Sequence, residues 1–310
     1  MTYRIALPGS PSGSTSTRPT LDLIDPYSTA VQRSLRRTGL AGYEPSTVAA
    51  LLTEFERRDP GFSFADIGAN IGLYSLLAAT MFRPRSVTAF EPTPELADWA
   101  RRLAAANRAE VGVLQVALSE SAGTATLHLA DASDVSNSLE AGFKASSSEV
   151  VVEVNTLDRV VEMSGNVPDV IKIDVEGHES KVLAGARATI ETHRPTIVIE
   201  VLNRRGQRPA AEIAAAIDGI EYHCYPLDLD PDWRARPTVE PAPEHQDWLL
   251  RADPVDDDFI AAWNRWRSTV AICSAETNSR VPVARTAVAA LRRGGVRELV
   301  GAVRRRSRRR

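Results

Sequence analysis

The run Val170-Ile-Lys-Ile-Asp-Val-Glu-Gly-His-Glu179 ends an apolar strand pattern in a crowd of charge, with three carboxylates, a lysine and an imidazole around one glycine. Ionised side chains at the end of a buried strand are costly to desolvate unless they are paired or used. Asp174 and Glu176 are therefore candidate catalytic residues. A carboxylate there can accept the proton of a hydroxyl nucleophile and can favour a bound cation. Glu200, at the end of the apolar run 196–201, joins them as a partner across neighbouring strand ends. His178 is the fourth candidate, because an imidazole titrates nearest neutrality. Glu179 reads as a first-turn acid favoured by the helix dipole, and Lys172 as the ion-pair partner of an acid. A trio of carboxylates also suits Mg²⁺, which takes oxygen ligands. The proton-acceptor role is preferred and no metal ligand is assigned.

A second group stands in Phe64-Ala-Asp-Ile-Gly-Ala-Asn-Ile-Gly-Leu-Tyr74, which reads as a strand, a tight glycine turn and a helix start. Such a turn is expected to present backbone N–H groups and a helix N-terminus to a ligand. Its spacing is Gly68-x-x-x-Gly72, with Asn70 where a dinucleotide fingerprint carries the glycine that admits a pyrophosphate, which disfavours NAD and FAD. Glu91, in Phe90-Glu-Pro92, follows the turn by about twenty residues, where an acid can accept both hydroxyls of a ribose. Asp66, at the mouth of the first strand, can pair with an ammonium group. Together these residues describe a nucleoside joined to an amino acid, and S-adenosylmethionine fits both ends. Taken singly, the glycines are ordinary turn residues and Glu91 a solvated strand-end acid; their order along the chain is what points to a ligand.

Along the chain, Phe64-Ala-Asp-Ile-Gly-Ala-Asn-Ile-Gly-Leu-Tyr-Ser75, Ala89-Phe-Glu-Pro92, Val116-Ala-Leu-Ser119, Asn155-Thr-Leu-Asp158, Asp169-Val-Ile-Lys-Ile-Asp-Val-Glu-Gly177 and Pro195-Thr-Ile-Val-Ile-Glu-Val201 occur in that order. In these motifs the chain resembles the FkbM-family methyltransferases, from about residue 62 to 250, with the Asp-Val-Glu-Gly segment the most specific part. The resemblance implies a Rossmann-like methyltransferase fold and S-adenosylmethionine as cofactor. It implies an acceptor hydroxyl on a sugar, glycolipid or related secondary metabolite. It also places Ala117 and Leu118 near the adenine, and it tolerates other residues at the position of His178.

The elements that must position these residues follow from periodicity. Short apolar runs at 62–67, 86–90, 112–117, 170–173 and 196–201 alternate with amphipathic stretches at 73–82, 94–107 and 179–193. That alternation predicts an α/β fold, a mostly parallel sheet with helices on both faces. Residues 124–130 and 149–155 alternate apolar with polar or small residues and predict an inserted β-hairpin, whose polar loop 131–148 reads as a mobile cover. A helix at 209–217 leads to strands at 221–227 and 247–250, the last one antiparallel. The expected organisation is a flexible N-terminal arm (1–20), N-terminal helices (21–61), the methyltransferase domain (62–252), an appended helix (253–279) and a basic tail (280–310).

Composition bounds the alternatives. Residues 280–310 hold eleven arginines and one acid, a charge of +10, so the rest of the 310-residue chain carries −13 against a total of −3. An acidic body disfavours nucleic acid as a partner of the main domain. The helical, arginine-flanked pattern at 283–310 suits contact with an anionic membrane or another polyanion. The N-terminus lacks a signal-peptide pattern, and the expectation is a cytoplasmic protein that can associate with membrane. Cys224 and Cys273 show no disulfide or zinc spacing. Two rival functions remain, an NAD-dependent oxidoreductase and a non-catalytic methyltransferase-like scaffold bound to membrane through its tail.

Overall fold

The computed structural model describes residues 2–9, 19–130, 137–140, 146–202, 209–228, 230–240 and 246–278. The basic tail and most of the 131–148 loop lie outside them. The strands are β1 (Thr2–Ala6), β2 (Thr20–Ile24), β3 (Ser63–Ile67), β4 (Ser86–Phe90), β5 (Gly112–Leu114), β6 (Ala117–Leu118), β7 (Gly123–Ala130), β8 (Ser146–Asn155), β9 (Val170–Ile173), β10 (Thr196–Glu200), β11 (His223–Pro226) and β12 (Asp247–Arg251). The helices are α1 (Ala30–Thr38), α2 (Pro45–Arg58), α3 (Leu73–Met81), α4 (Pro94–Asn107), α5 (Leu157–Ser164), α6 (Glu179–Ala184), α7 (Arg187–His193), α8 (Pro209–Ala216), α9 (Asp257–Ala271) and α10 (Ala275–Asn278). No helix among the described residues is long and apolar enough to cross a membrane.

Seven strands form one sheet in the order β11-β12-β10-β9-β3-β4-β5. From β10 to β5 the pairs are parallel, while β12 runs antiparallel to both β10 and β11. All residues of β3 and β9 are buried, as central parallel strands with both faces covered must be. The order reverses at β3, with β4 on one side and β9 on the other, and the carboxyl ends of strands beside such a switch point form the binding crevice of open α/β sheets. On one face α2, α3 and α9 pack around an aromatic cluster: Phe55 stacks on Phe62 and meets Phe64 edge-on, both at 4.9 Å between ring centroids. Truncating such a residue to alanine costs about 3–5 kcal/mol. The other face is an aliphatic cluster that includes Ile171, Ile173, Leu183, Ile197 and Ile213.

The expected hairpin is present as β7 and β8, joined by the short β6 in a separate three-stranded sheet. Three expectations need correction. The arm predicted to be flexible begins as a strand: β1 pairs antiparallel with β2, and Ile5, Leu7, Leu21 and Leu23 are fully buried. Its alternation was hidden by the Ser, Thr and Pro residues that follow. The stretch predicted as one strand over 112–117 divides, because β5 stays in the main sheet while Ala117 leaves it for β6. The helix predicted over 179–193 breaks into α6 and α7 at Gly185, where a Cβ would lie 1.9 Å from the Ser119 carbonyl oxygen.

Candidate active site

A cavity opens at the carboxyl ends of β3, β4, β9 and β10. Its wall includes Asp66, Gly68, Asn70, Glu91, Ala117, Leu118, Asp174, Glu176, His178 and Glu200, all singled out from sequence, and also Tyr43, Glu44, Tyr74, Ser138 and Lys172. Gly72 does not line it. That glycine caps α3 at φ 76° and packs on α4, where a Cβ would sit 3.4 Å from Ala100 Cβ.

The glycine turn departs from expectation. Gly68 and Ala69 donate their N–H groups to the Phe90 carbonyl, Asn70 to Glu91 Oε2, Ile71 to Asn70 Oδ1 and Gly72 to the Ala69 carbonyl. Each N–H from 68 to 72 thus has a partner inside the protein, and the turn offers no cradle of donors to a phosphate. Its glycine has a steric role instead: Gly68 adopts φ 77°, and a Cβ there would lie 1.8 Å from the Asp174 carbonyl oxygen. The missing side chain lets the β3 turn and the β9 turn touch.

Glu91 is buried at the end of β4 and fixed by two donors, Asn70 N–H on Oε2 and Thr93 N–H on Oε1, both at 2.8 Å. Each oxygen keeps a lone pair for a further donor, as a ribose diol requires. Burial raises its pKa against these bonds. Asp66 is also buried. Its Oδ2 accepts from Ser75 Oγ (2.7 Å) and Ser75 N–H (3.0 Å), and burial lifts the carboxyl to about 6.

The other end of the cavity is organised by Lys172, which is 1% exposed. Its Nζ lies 3.3 Å from Asp174 Oδ2 and 3.9 Å from Asp247 Oδ1. Burial by itself would lower the ammonium pKa, but Asp174, Asp247, Glu44 and Glu200 outweigh it and hold it raised. Burial and the neighbouring Asp174 push Glu200 up to about 11, and its Oε2 is buried with no hydrogen-bond partner. One carboxylate oxygen from each of Asp174, Glu176 and Glu200 lies within 4.8 Å of the others. This is a place that attracts a cation, and Lys172 is its resident countercharge. Among the described residues, six acidic side chains line the cavity against that one lysine.

The turn after β9 is held by groups with structural tasks. Glu176 sits at φ 56° and Gly177 at φ 99°. Glu179 accepts from Gly177 N–H (3.0 Å) and Val175 N–H (3.2 Å), a more specific task than the helix-dipole role read from sequence. Ser138 Oγ donates to the Glu176 carbonyl at 2.8 Å. His178 has both ring nitrogens engaged, Nδ1 with Glu140 Oε1 at 2.7 Å and Nε2 with Ser119 Oγ at 2.8 Å. Lys181 Nζ donates to the same Glu140 oxygen. The imidazole fastens the turn to the inserted segment through these two contacts.

Sequence reasoning missed Tyr43, Glu44 and Tyr74, whose phenol donates to Glu44 Oε2. One signal was available. Glu44 precedes Pro45 at a helix start, where Ser, Thr, Asp or Asn is the usual cap.

A profile of the methyltransferase FkbM domain matches residues 66–251. The hexuronic acid methyltransferase AglP of Haloferax volcanii is 31% identical over 159 residues, which cover 50% of this chain and 61% of that protein. The chain therefore spans less than two thirds of this curated relative. Among solved structures, methyltransferase FkbM from Methylobacillus flagellatus KT is 20% identical with a TM-score of 0.41, covering 61% of this chain and 44% of that one. A ribosomal protein L11 methylase from Lactobacillus delbrueckii subsp. bulgaricus is 11% identical with a TM-score of 0.37, covering 67% and 78%.

Proposed function

Because the chain belongs to the FkbM methyltransferase family, we propose that it methylates a hydroxyl of a sugar or sugar-bearing metabolite, with S-adenosylmethionine as the donor. The observation that carries this is one cavity with two different acidic ends: Glu91 in reach of a diol, and a carboxylate cluster around Asp174 with an unpartnered oxygen on Glu200. A nucleoside bearing positive charge fits both. The partnered N–H groups of the glycine turn weigh against a pyrophosphate and so against the oxidoreductase alternative.

Bound S-adenosylmethionine supplies an electrophilic methyl group on a cationic sulfur. Glu91 would hold the ribose hydroxyls, Ala117 and Leu118 would pack on the base, and Asp66 would face the amino-acid end. Asp174, Glu176 and Glu200 line the acceptor side. The negative charge of Asp174 and Glu176 favours a cation there, and a carboxylate of that pair receives the hydroxyl proton, with the neutral Glu200 beside them. The sugar as acceptor class is extended from AglP, a hexuronic acid methyltransferase by name.

Calorimetry with S-adenosylhomocysteine and with NAD tests the first step, with binding of the former alone expected. Labelled methyl transfer to methyl glycosides of hexoses and hexuronic acids, followed by hydrolysis of the product, tests the second. Binding of NAD without S-adenosylhomocysteine would end this assignment.

A further inference from the structure

Two residues of the acceptor end come from outside the matched segment, which begins at residue 66. Tyr43 and Glu44 stand at the start of α2 and line the cavity. Glu44 holds the N-cap position without capping: its backbone is left-handed, at φ 40° and ψ 54°, and its side chain makes no bond to the first turn. An ordinary N-cap side chain folds back onto the helix. Here Pro45 follows, which has no N–H at the first helical position, and the carboxylate turns away to Tyr74 and the cavity. A left-handed non-glycine residue persists where its surroundings overdetermine it, and such residues gather at functional sites. The surroundings are present. Thr47 Oγ1 donates to Asp247 Oδ2 (2.7 Å), Val48 N–H to the Glu44 carbonyl (2.9 Å) and Trp263 Nε1 to the Ser46 carbonyl (3.3 Å). Neither Tyr43 nor Glu44 is fully buried, and both form part of the cavity wall.

We propose that Tyr43 and Glu44 are the specificity-determining pair of the acceptor subsite, with Glu44 accepting hydrogen bonds from vicinal hydroxyls of a sugar ring and Tyr43 offering its aromatic face to the ring's C–H side. The pair matches a sugar's two faces, one of hydroxyls and one of C–H groups, with a charged acceptor and an aromatic surface. This rests on the methyltransferase reading above and adds to it residues that the family match does not cover. The groups facing Glu44 are Asp247 on β12, Lys172 on β9, Asp174 after it and Tyr74 on α3. Burial first, then Asp247, lifts the Glu44 carboxyl to about 7 against Lys172. Its charged form is the better hydrogen-bond acceptor, so sugar binding strengthens as pH rises through that value.

The test compares wild type with Glu44→Gln and Tyr43→Leu, using calorimetry with S-adenosylhomocysteine and saturation-transfer NMR with methyl α-glucoside and methyl α-glucuronide. Both variants should keep the thermal midpoint and the S-adenosylhomocysteine affinity. Each should lose saturation of the sugar ring protons, and the acceptor KM should rise about tenfold or more, the scale of one hydrogen bond to a charged group. The gain in sugar binding with rising pH should vanish in Glu44→Gln. Unchanged sugar saturation and KM in both variants, with cofactor binding intact, would overturn the proposal alone. Failure of the wild type to bind S-adenosylhomocysteine would instead strike the functional reading, and the proposal with it.

Discussion

Replacing Lys172 by methionine keeps most of the side-chain volume and removes the charge that balances the acidic end of the cavity. The size of the effect follows from the two distances. At an effective dielectric constant of about 20, a unit charge pair is worth about 5 kcal/mol at the 3.3 Å separation from Asp174, and about 4 kcal/mol at the 3.9 Å from Asp247. Desolvation of the buried ammonium offsets much of this, yet breaking a buried pair by removing one partner still costs about 3–5 kcal/mol. That is the deficit expected near pH 8, where the lysine of the wild type is fully charged. The variant also leaves Glu44 without its counterion, so that carboxyl rises further above the ordinary carboxylate range. An acid raised in the folded state contributes stability that is present below its unfolded pKa and lost as pH rises through the folded one. The variant's deficit must therefore shrink as pH falls towards about 5, where Glu44 is neutral; Glu200 is neutral across the whole range and adds nothing to the change. Urea unfolding followed by circular dichroism at both pH values measures it. A deficit below about 1 kcal/mol near pH 8, or one that does not change with pH, would refute the idea that Lys172 balances this cluster.

Glu91→Ala should weaken S-adenosylhomocysteine binding by about a hundredfold, the scale of two lost hydrogen bonds to a carboxylate, and wild-type affinity in calorimetry would remove Glu91 from the cofactor site. Gly68→Ala puts a Cβ against the Asp174 carbonyl at a left-handed position. It should cost about 3 kcal/mol or more, and a midpoint within a degree or two of wild type would contradict the close approach of the two turns. Asp174→Asn should lower turnover by about a hundredfold or more with S-adenosylhomocysteine binding kept. Glu200→Gln should lose less, because Glu200, pushed up to about 11, is already protonated at neutral pH. Equal losses would show that the two act as one unit.

The parts legible in the sequence are those written as local pattern. The buried runs of β3 and β9, the acid at the end of β4 and the alternation of β7 and β8 each announce themselves within about ten residues, because strand periodicity is a short-range property. The strand-end carboxylates Asp174, Glu176 and Glu200 converge because parallel neighbours end together, so their meeting could be anticipated. Glu44 offered only its unusual place before Pro45: it reaches the cavity through tertiary packing of α2, far from the motifs in sequence. The partners of the glycine-turn N–H groups are the Phe90 carbonyl, the Glu91 carboxylate and groups within the turn. Glycine spacing reveals nothing about that satisfaction. His178 was singled out by its intrinsic pKa, while its role is set by Glu140 and Ser119, which approach from other elements.

The segments on either side of the family match meet in space. Trp266 Nε1 donates to Glu56 Oε2 (2.9 Å), Arg57 pairs with Asp256 (2.9 Å), and Ala41 N–H donates to the Cys273 carbonyl (3.0 Å). Helix α9 is thus the brace of α2, although α9 contributes no residue to the cavity wall. For protein engineering, residues 21–61 and 253–278 are one exchangeable module split across the sequence. A chimera that borrows the first from a relative must borrow the second with it, or the tyrosine and glutamate at the head of α2 will lose their register over the active site.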